Sequence, residues 1–333
     1  MRSLWTLLAL PLLLSSLVLV AAFGVAAFFL ECARRISCRH SIDPSDAFFE
    51  DPNSLRKVPC PSIFDQAEKY LSLIIPAFNE EYRLPGAFIE TINYLQRRSA
   101  SDKSFSYEVL IVDDGSSDRT SEVAFDFVRK YKIENVRVLL LGRNHGKGEA
   151  IRKGMLHSRG ELLLMLDADG ATKITDLEKL ESQICTLAEK VKELNPGDQS
   201  MKLSDIEVAA FGSRARLEKQ ALTTRKWYRN LLMKSFHLVV LLTVGPGIRD
   251  TQTLLTNLTA ARKLFTNMRL KRWCFDVELV YLCKHLGILM TEVCVNWLEI
   301  PGSKVRLTSI ISMLFELVLI RLGYGLGIWK ICN

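Results

Sequence analysis

The strongest constraint on this chain is an alternation that begins at residue 71. LSLIIP (71–76), YEVLIVDD (107–114), VRVLLLG (136–142) and GELLLMLDAD (160–169) are short, mostly apolar runs of strand length. Between them lie segments of helical character. One is DRTSEVAFDFVRKY (118–131), which places Val123, Phe127 and Val128 on one face and offers Ser117 or Asp118 as N-cap. Strands buried on both faces read as continuous apolar runs, and helices returning between them predict a parallel sheet covered on both sides. In such sheets ligands bind beyond the carboxyl ends of the strands. Four polar clusters stand at those ends: PAFNEE, DDGSSD, GRNHGKG and DAD. Their convergence says more than any one of them alone.

Each cluster has its own chemistry. The carboxylates of Asp167 and Asp169 repel each other and are costly to desolvate unless a cation or proton lies between them. Hard cations such as Mg²⁺ or Mn²⁺ suit paired carboxylates and leave positions open for phosphate oxygens. The plainer reading is that Asp169 or Thr172 caps a helix over 174–194. In DDGSSD a carboxylate can accept hydrogen bonds from a base or ribose, or the segment is a turn and cap. GRNHGKG fails the phosphate-loop pattern, because three residues separate its glycines where four are needed and Gly148 stands where Ser or Thr would bind Mg²⁺. Gly146-Lys147-Gly148 reads instead as a helix start whose amides and ammonium face an anion. His145 and His157 read as incidental.

The N-terminus carries a second constraint. From Ser3 to Leu30 there is no charged residue, a run long enough to cross a bilayer as a helix. It exceeds the apolar core of a signal peptide, so a retained anchor is expected despite the small residues Ala26-Ala27. Arg34, Arg35 and Arg39 follow it against Glu31, while Arg2 alone precedes it, which puts everything after residue 31 in the cytosol. The eight scattered cysteines, with no CxxC, read as reduced thiols and agree with that side. A net charge of +7 over 333 residues is too small for a dedicated nucleic-acid binder, and no nucleic-acid partner is expected. Residues 40–68 are a Pro/Ser/Asp-rich connector. Residues 236–248, preceded by Arg225, Lys226, Arg229 and Lys234, and residues 307–329, with Glu316 and Arg321 inside, read as amphipathic helices against membrane lipid. Buried core helices are the other reading.

Taken in order, PAFNEE, VDDGSSDRT, NHGKGEAIRKGM and LDADGATK resemble the nucleotide-sugar half of family 2 glycosyltransferases with the GT-A fold. FGSRA (211–215), WYRNLLMKSFHLVVLLTVGPGIRDTQ (227–252), LFTNMRLKRWCFDVELVYL (264–282) and VNWLEIPGSKV (295–305) are similar to the branch that moves glucose from UDP-glucose to dolichyl phosphate at the endoplasmic-reticulum membrane. The resemblance implies an α/β, Rossmann-like GT-A domain with a mostly parallel sheet flanked by helices, an N-terminal transmembrane helix and interfacial helices. It implies that Asp167 and Asp169 hold Mg²⁺ or Mn²⁺, with Ala168 between them at the donor. Pro76, Phe78 and Glu80 would contact the nucleotide, Asp113 and Asp114 the uridine, and Lys147, Arg214 and Lys304 the phosphates. Asp169 and Asp276 are the catalytic candidates. The acceptor is a phosphate monoester with a second pKa near 6, so it can attack the anomeric carbon without a strong base. Asp276 is therefore a candidate near the acceptor or a capping carboxylate on a 274–285 helix. Attack opposite UDP would invert the donor to a β-linked glucosyl phosphate, a precursor for N-glycosylation.

Residues alone leave a GDP-mannose donor open. A polysaccharide synthase normally carries Gln-x-x-Arg-Trp, where this chain has Arg269-Leu270-Lys271-Arg272-Trp273, and a non-catalytic scaffold would not need four converging clusters. The expected organisation is an anchor over 1–30, a juxtamembrane linker over 31–68, the nucleotide-sugar half over 69–215, an acceptor-side half over 216–306 and a membrane-associated segment over 307–333. One departure stands out. After DTQ the family typically continues Cys-Gly-Phe-Lys-Leu-Phe-Thr-Arg, whereas Thr253–Thr259 reads TLLTNLT, which removes a glycine and two basic residues from the expected floor of the site and implies a catalytically weakened homologue. Restoring the usual segment is expected to speed glucose transfer at saturating substrates. A single-pass protein facing the cytosol should also leave the sequon Asn257-Leu258-Thr259 unmodified, read as unchanged gel mobility on glycosidase treatment.

Overall fold

The computed structural model describes residues 24–36, 48–194, 203–214, 251–298, 300 and 307–332, together with 240, 241, 243 and 245. The alternation from residue 71 becomes four parallel strands: β3 (Lys69–Ala77), β4 (Tyr107–Asp113), β5 (Val136–Leu140) and β6 (Gly160–Met165). They extend into a seven-stranded sheet of order β5-β4-β3-β6-β8-β7-β9, completed by β7 (Val208–Ser213), β8 (Thr253–Asn257) and β9 (Leu289–Cys294). Only β8 runs antiparallel to its neighbours. The mostly parallel sheet is as expected.

Successive residues on these strands feed opposite cores, as a period of two requires. Ile74, Leu110, Val112, Leu163 and Met165 face one side with α4 (Lys147–Leu156), α6 (Leu258–Asn267), α7 (Phe275–Leu286) and α8 (Leu307–Gly325). Leu73, Ile75, Val109, Ile111, Leu162 and Leu164 face the other, with α2 (Leu84–Ser101), α3 (Thr120–Tyr131) and α5 (Leu177–Leu194). Phe88 of α2 and Phe127 of α3 stack at 4.0 Å between ring centroids, which ties the two helices over the sheet.

The connector expected over 31–68 holds more structure than its composition suggests. Residues 24–36 form α1, and β1 (Phe48–Asp51) pairs with β2 (Arg56–Pro59) as an antiparallel hairpin. The reason is apolar. Phe49 is fully buried with the Arg137 guanidinium 5.1 Å over its ring, and Ile63 is buried with its N–H donating to Leu156 O. Residues 1–23 of the expected anchor lie outside the described residues, as do 37–47. Among the described residues no helix is long and apolar enough to cross a membrane.

Helix α8 corrects the reading of residues 307–329 as amphipathic through Glu316 and Arg321. Arg321 is exposed, but Glu316 turns inward and is 7 % exposed, and Leu317, Leu319, Ile320 and Tyr324 are buried beside it. The outward positions include Ile311, Leu314 and Val318. Helix α1 lies against α8: Phe29 and Phe315 meet at 5.0 Å, and the Trp329 indole N–H donates to Ala33 O. Of the other expected interfacial segment, 236–248, only 240, 241, 243 and 245 lie within the described residues.

Thr253–Asn257, read from sequence as part of the site's floor, is instead a fully buried strand between β6 and β7. Asn257 is 2 % exposed. Its side chain donates to Leu203 O and Ile206 O and accepts from Val208 N and Ala260 N, which caps α6. The sequon is therefore shielded by folding on either side of a membrane, and an unmodified Asn257 does not report topology.

A buried carboxylate supports the turn between α6 and α7. Glu278 is fully buried and accepts from the N–H groups of Arg269 and Leu270 and from the Tyr324 hydroxyl. Burial raises its pKa from 4.5 to about 7 against those three donors. A raised folded-state value means the proton is held more tightly in the fold, so this contribution is present below pH 4.5 and is lost as pH rises through 7. Thermal stability should fall between pH 5 and 8. Glu278→Gln should flatten that slope while lowering stability by about 1–3 kcal/mol, because its amide nitrogen would face a backbone donor.

Candidate active site

The parallel register fixes where the polar clusters meet. Ala77 lies opposite Asp113 and Ile74 opposite Met165, so PAFNEE, DDGSSD and DAD leave the sheet at the same edge. They open into a cavity of about 900 Å³, the size of a small-ligand site. Pro76, Phe78, Glu80, Asp114, Lys147, Asp167, Ala168, Asp169 and Arg214 all line it. Two expected site residues do not. Asp113 is buried in its own turn, accepting from Ser116 N and from the hydroxyls of Ser116 and Ser121. Asp276, in the first turn of α7, stands behind the lining, accepting from the Thr251 hydroxyl and the Val277 N–H. Lys304 lies outside the described residues.

The electrostatics centre on Asp167 and Asp169. The Lys147 ammonium lies 2.6 Å from Asp167 Oδ1. Burial alone would lower the Lys147 pKa, but Asp167, Asp276 and Asp169 around it hold the ammonium above its ordinary value. Burial raises the Asp169 carboxyl, and Asp167 beside it adds to the rise against the Ala171 amide. A pair of half-buried, mutually repelling carboxylates favours an added cation, and its oxygen-only donor set fits a hard divalent ion. Among the described residues no group of three or more His, Cys, Asp or Glu is placed to hold a metal, so a divalent ion at this pair would need further oxygen ligands from outside these side chains. Phosphate oxygens complete such a sphere in sites of this kind.

Asp114 organises the loop opposite. Its two oxygens accept from His145 N at 2.7 Å and Gly146 N at 2.8 Å. Burial raises its pKa, and these amides oppose the rise. Glu80 holds Arg83 through two contacts, of 2.7 and 2.6 Å, and its own N–H donates to Thr120 Oγ1. Arg214 sits 4.8 Å over the Trp297 ring.

The glycines of NHGKG serve a purpose the sequence did not disclose. The amides at the start of α4 do not point at an open anion site: Gly148 N donates to Arg272 O and Glu149 N to Lys271 O. Gly146 has φ +107°, and a Cβ there would lie 2.5 Å from Lys271 O; one at Gly148 would lie 2.8 Å from Leu270 O. The segment Arg269–Cys274 is thus pressed backbone to backbone against α4, and it brings Arg272 and Trp273 into the cavity lining.

Arg83, Asn144, Gln252, Arg272, Trp273 and Trp297 line the cavity without having been singled out from the sequence. Arg83 follows Glu80 by three residues, a spacing that pairs side chains. Arg272 and Trp273 lie inside LFTNMRLKRWCFDVELVYL, where the sequence alone marks only the absence of a glutamine.

Residues 72–190 match the model for Glycosyl transferase family 2, which spans β3 to α5 and the whole Asp-x-Asp edge. Across nearly the full chain, the dolichyl-phosphate beta-glucosyltransferase of Homo sapiens is 42% identical over 96% of this chain and 97% of that protein. That of Drosophila melanogaster is 42% identical over 99% and 98%, and that of Saccharomyces cerevisiae 35% identical over 80% and 78%. The chain belongs to the dolichyl-phosphate beta-glucosyltransferase family. A solved structure of glucosyl-3-phosphoglycerate synthase from Mycobacterium tuberculosis with uridine diphosphate is similar at 17% identity and TM-score 0.47, over 78% of this chain and 81% of that one.

The contact between α4 and the 269–274 segment gives a direct test. Gly146→Ala combines an unfavourable backbone conformation with a backbone clash and should cost roughly 2–4 kcal/mol in chemical denaturation. Gly142→Ala, which has a positive φ but open space for the methyl, should cost less.

Proposed function

We propose that this chain transfers glucose from UDP-glucose to dolichyl phosphate, giving dolichyl β-glucosyl phosphate at the endoplasmic-reticulum membrane. The observation that carries the reading is the match to the human enzyme of that name over 96% of the chain, which includes both the donor-side clusters and the second half. The relatives' names favour glucose over mannose as the transferred sugar and dolichyl phosphate as its acceptor.

The chain's own residues divide the work. Phe78 and Asp114 line the cavity on the side assigned to the nucleoside, Lys147 and Arg214 supply positive charge for the donor's phosphates, and Arg272 supplies it for the acceptor's. Asp167 and Asp169 would hold Mg²⁺ or Mn²⁺, whose contribution is to stabilise negative charge on the departing diphosphate. The acceptor phosphate is largely a dianion at neutral pH and attacks the anomeric carbon itself; the bond to UDP breaks on the opposite face, and the configuration inverts. No strong base is required. Asp276, held by Thr251 and Val277 N, adds to the negative charge that Asp167 places around the Lys147 ammonium.

A lipid acceptor requires contact with a membrane. Val25, Phe28 and Leu30 of α1 and Ile311, Leu314 and Val318 of α8 are exposed apolar side chains on two helices that touch through Phe28, Phe29 and Phe315. This surface supports membrane contact, and the arginines after residue 31 support a catalytic part in the cytosol.

Asp167→Asn and Asp169→Asn should each reduce transfer by at least about 100-fold at saturating Mn²⁺, the scale of losing a charge-stabilising group, with unchanged circular dichroism. Calorimetric titration should show binding of UDP-glucose that strengthens with Mn²⁺ and exceeds that of GDP-mannose. Equal affinities for the two donors would remove the glucose assignment. Cys185, which is exposed, should react with a membrane-impermeant maleimide in sealed microsomes; reaction only after permeabilisation would put this half in the lumen.

A further inference from the structure

Helix α8 reaches into the site through one carboxylate. Glu316 Oε2 accepts from Trp273 N at 3.1 Å and from Cys274 N at 2.8 Å. The residue is 7 % exposed although its helix also carries the outward apolar positions Ile311, Leu314 and Val318. The Cys274 thiol adds a contact to Met313 O on the same helix. At the other end of the segment, Glu278 accepts from Arg269 N and Leu270 N and is itself held by the Tyr324 hydroxyl of α8. Lys271 O and Arg272 O, between the two anchors, accept from the start of α4. The segment Arg269–Cys274 is therefore tied down through its backbone at both ends and in its middle. Of its side chains, Arg272 and Trp273 line the cavity, as does Ser309 of α8.

We propose that Glu316 is a positioning residue for the acceptor: by fixing the backbone of Trp273 and Cys274 to α8, it holds Arg272 and Trp273 where the phosphate of a polyprenyl phosphate enters. A buried carboxylate on an otherwise apolar helix face is costly to desolvate, and it persists here because two amides meet one of its oxygens. Pro76, Phe78 and Asp114, taken as donor-side, come from the end of β3 and the turns after β3 and β4, and none of them is bonded to Glu316. Loss of this anchor should therefore separate donor from acceptor. Because α8 also bears the exposed apolar positions, the same helix that faces lipid sets the geometry that receives the lipid's phosphate.

The kinetic arm of the test rests on the proposed transfer reaction; the proteolytic arm does not. Since a single oxygen accepts both amides, Glu316→Gln preserves the anchor and Glu316→Ala removes it. With the full chain in detergent–lipid micelles, Glu316→Ala should lower kcat/KM for dolichyl phosphate at least tenfold. Its affinity for UDP should stay within twofold, and Glu316→Gln should recover transfer to within threefold. Limited trypsin digestion read by mass spectrometry should cut Glu316→Ala after Lys271 or Arg272 at least ten times faster than wild type or Glu316→Gln, with cleavage elsewhere unchanged. The proposal is overturned if Glu316→Ala transfers like wild type, or if Glu316→Gln is as impaired as Glu316→Ala. Accelerated cleavage throughout the chain with parallel loss of UDP binding would also overturn it. If wild type itself transfers no glucose, the reaction assignment fails, and the cleavage pattern still decides whether Glu316 anchors the segment.

Discussion

Strand β3 is paired in parallel on both of its sides, and the site depends on that arrangement. Pairing with β4 aligns Ala77 with Asp113; pairing with β6 aligns Ile74 with Met165. Three chain segments that are distant in sequence therefore leave the sheet at the same height and with the same polarity. A shift of one residue in the β3–β6 pairing would exchange the two faces of β6 and put Leu162 and Leu164 into the core that now takes Leu163 and Met165. Both faces of this sheet are buried, so such a shift has no solvent face to use, and the register is held by the packing of two cores at once.

The polar edge then has to be made tolerable. Asp167 and Asp169 bring repelling charges to the end of an apolar strand, and the chain answers with Lys147 from the neighbouring crossover. Asp114 is answered by the amides of His145 and Gly146. Both Asp114 and Asp167 are thus met by donors from the one turn from β5 into α4, which draws that turn inward and shapes the cavity wall.

What was legible in the sequence was local. Apolar runs of strand length, and polar residues placed just after them, identify strands and their carboxyl ends without knowledge of any long-range contact. Nine of the twelve residues expected at the site line the cavity, namely Pro76, Phe78, Glu80, Asp114, Lys147, Asp167, Ala168, Asp169 and Arg214. The failures share a cause, which is that they turn on partners far away in the chain. TLLTN reads as part of the site's floor until β6 and β7 are seen on either side of it. Glu316 reads as the polar face of an amphipathic helix until the Trp273 and Cys274 amides are found against it. The hairpin at Phe48–Pro59 has the composition of a linker, and only burial of Phe49 near Arg137 makes it an element. Asp113 looks equivalent to Asp114, yet one closes a turn and the other faces the cavity.

The backbone contact between α4 and the Arg269–Cys274 segment bears on how such proteins can diverge. Gly146 and Gly148 leave no room for a side chain against Lys271 O and Leu270 O, so two stretches separated by over a hundred positions must keep a shared contour. Hybrids assembled by recombining the front of one homologue with the rear of another would place the crossover between them and mismatch these surfaces whenever the two parents differ there. Gly146-Lys147-Gly148 and the segment that rests on it are therefore heritable as one unit.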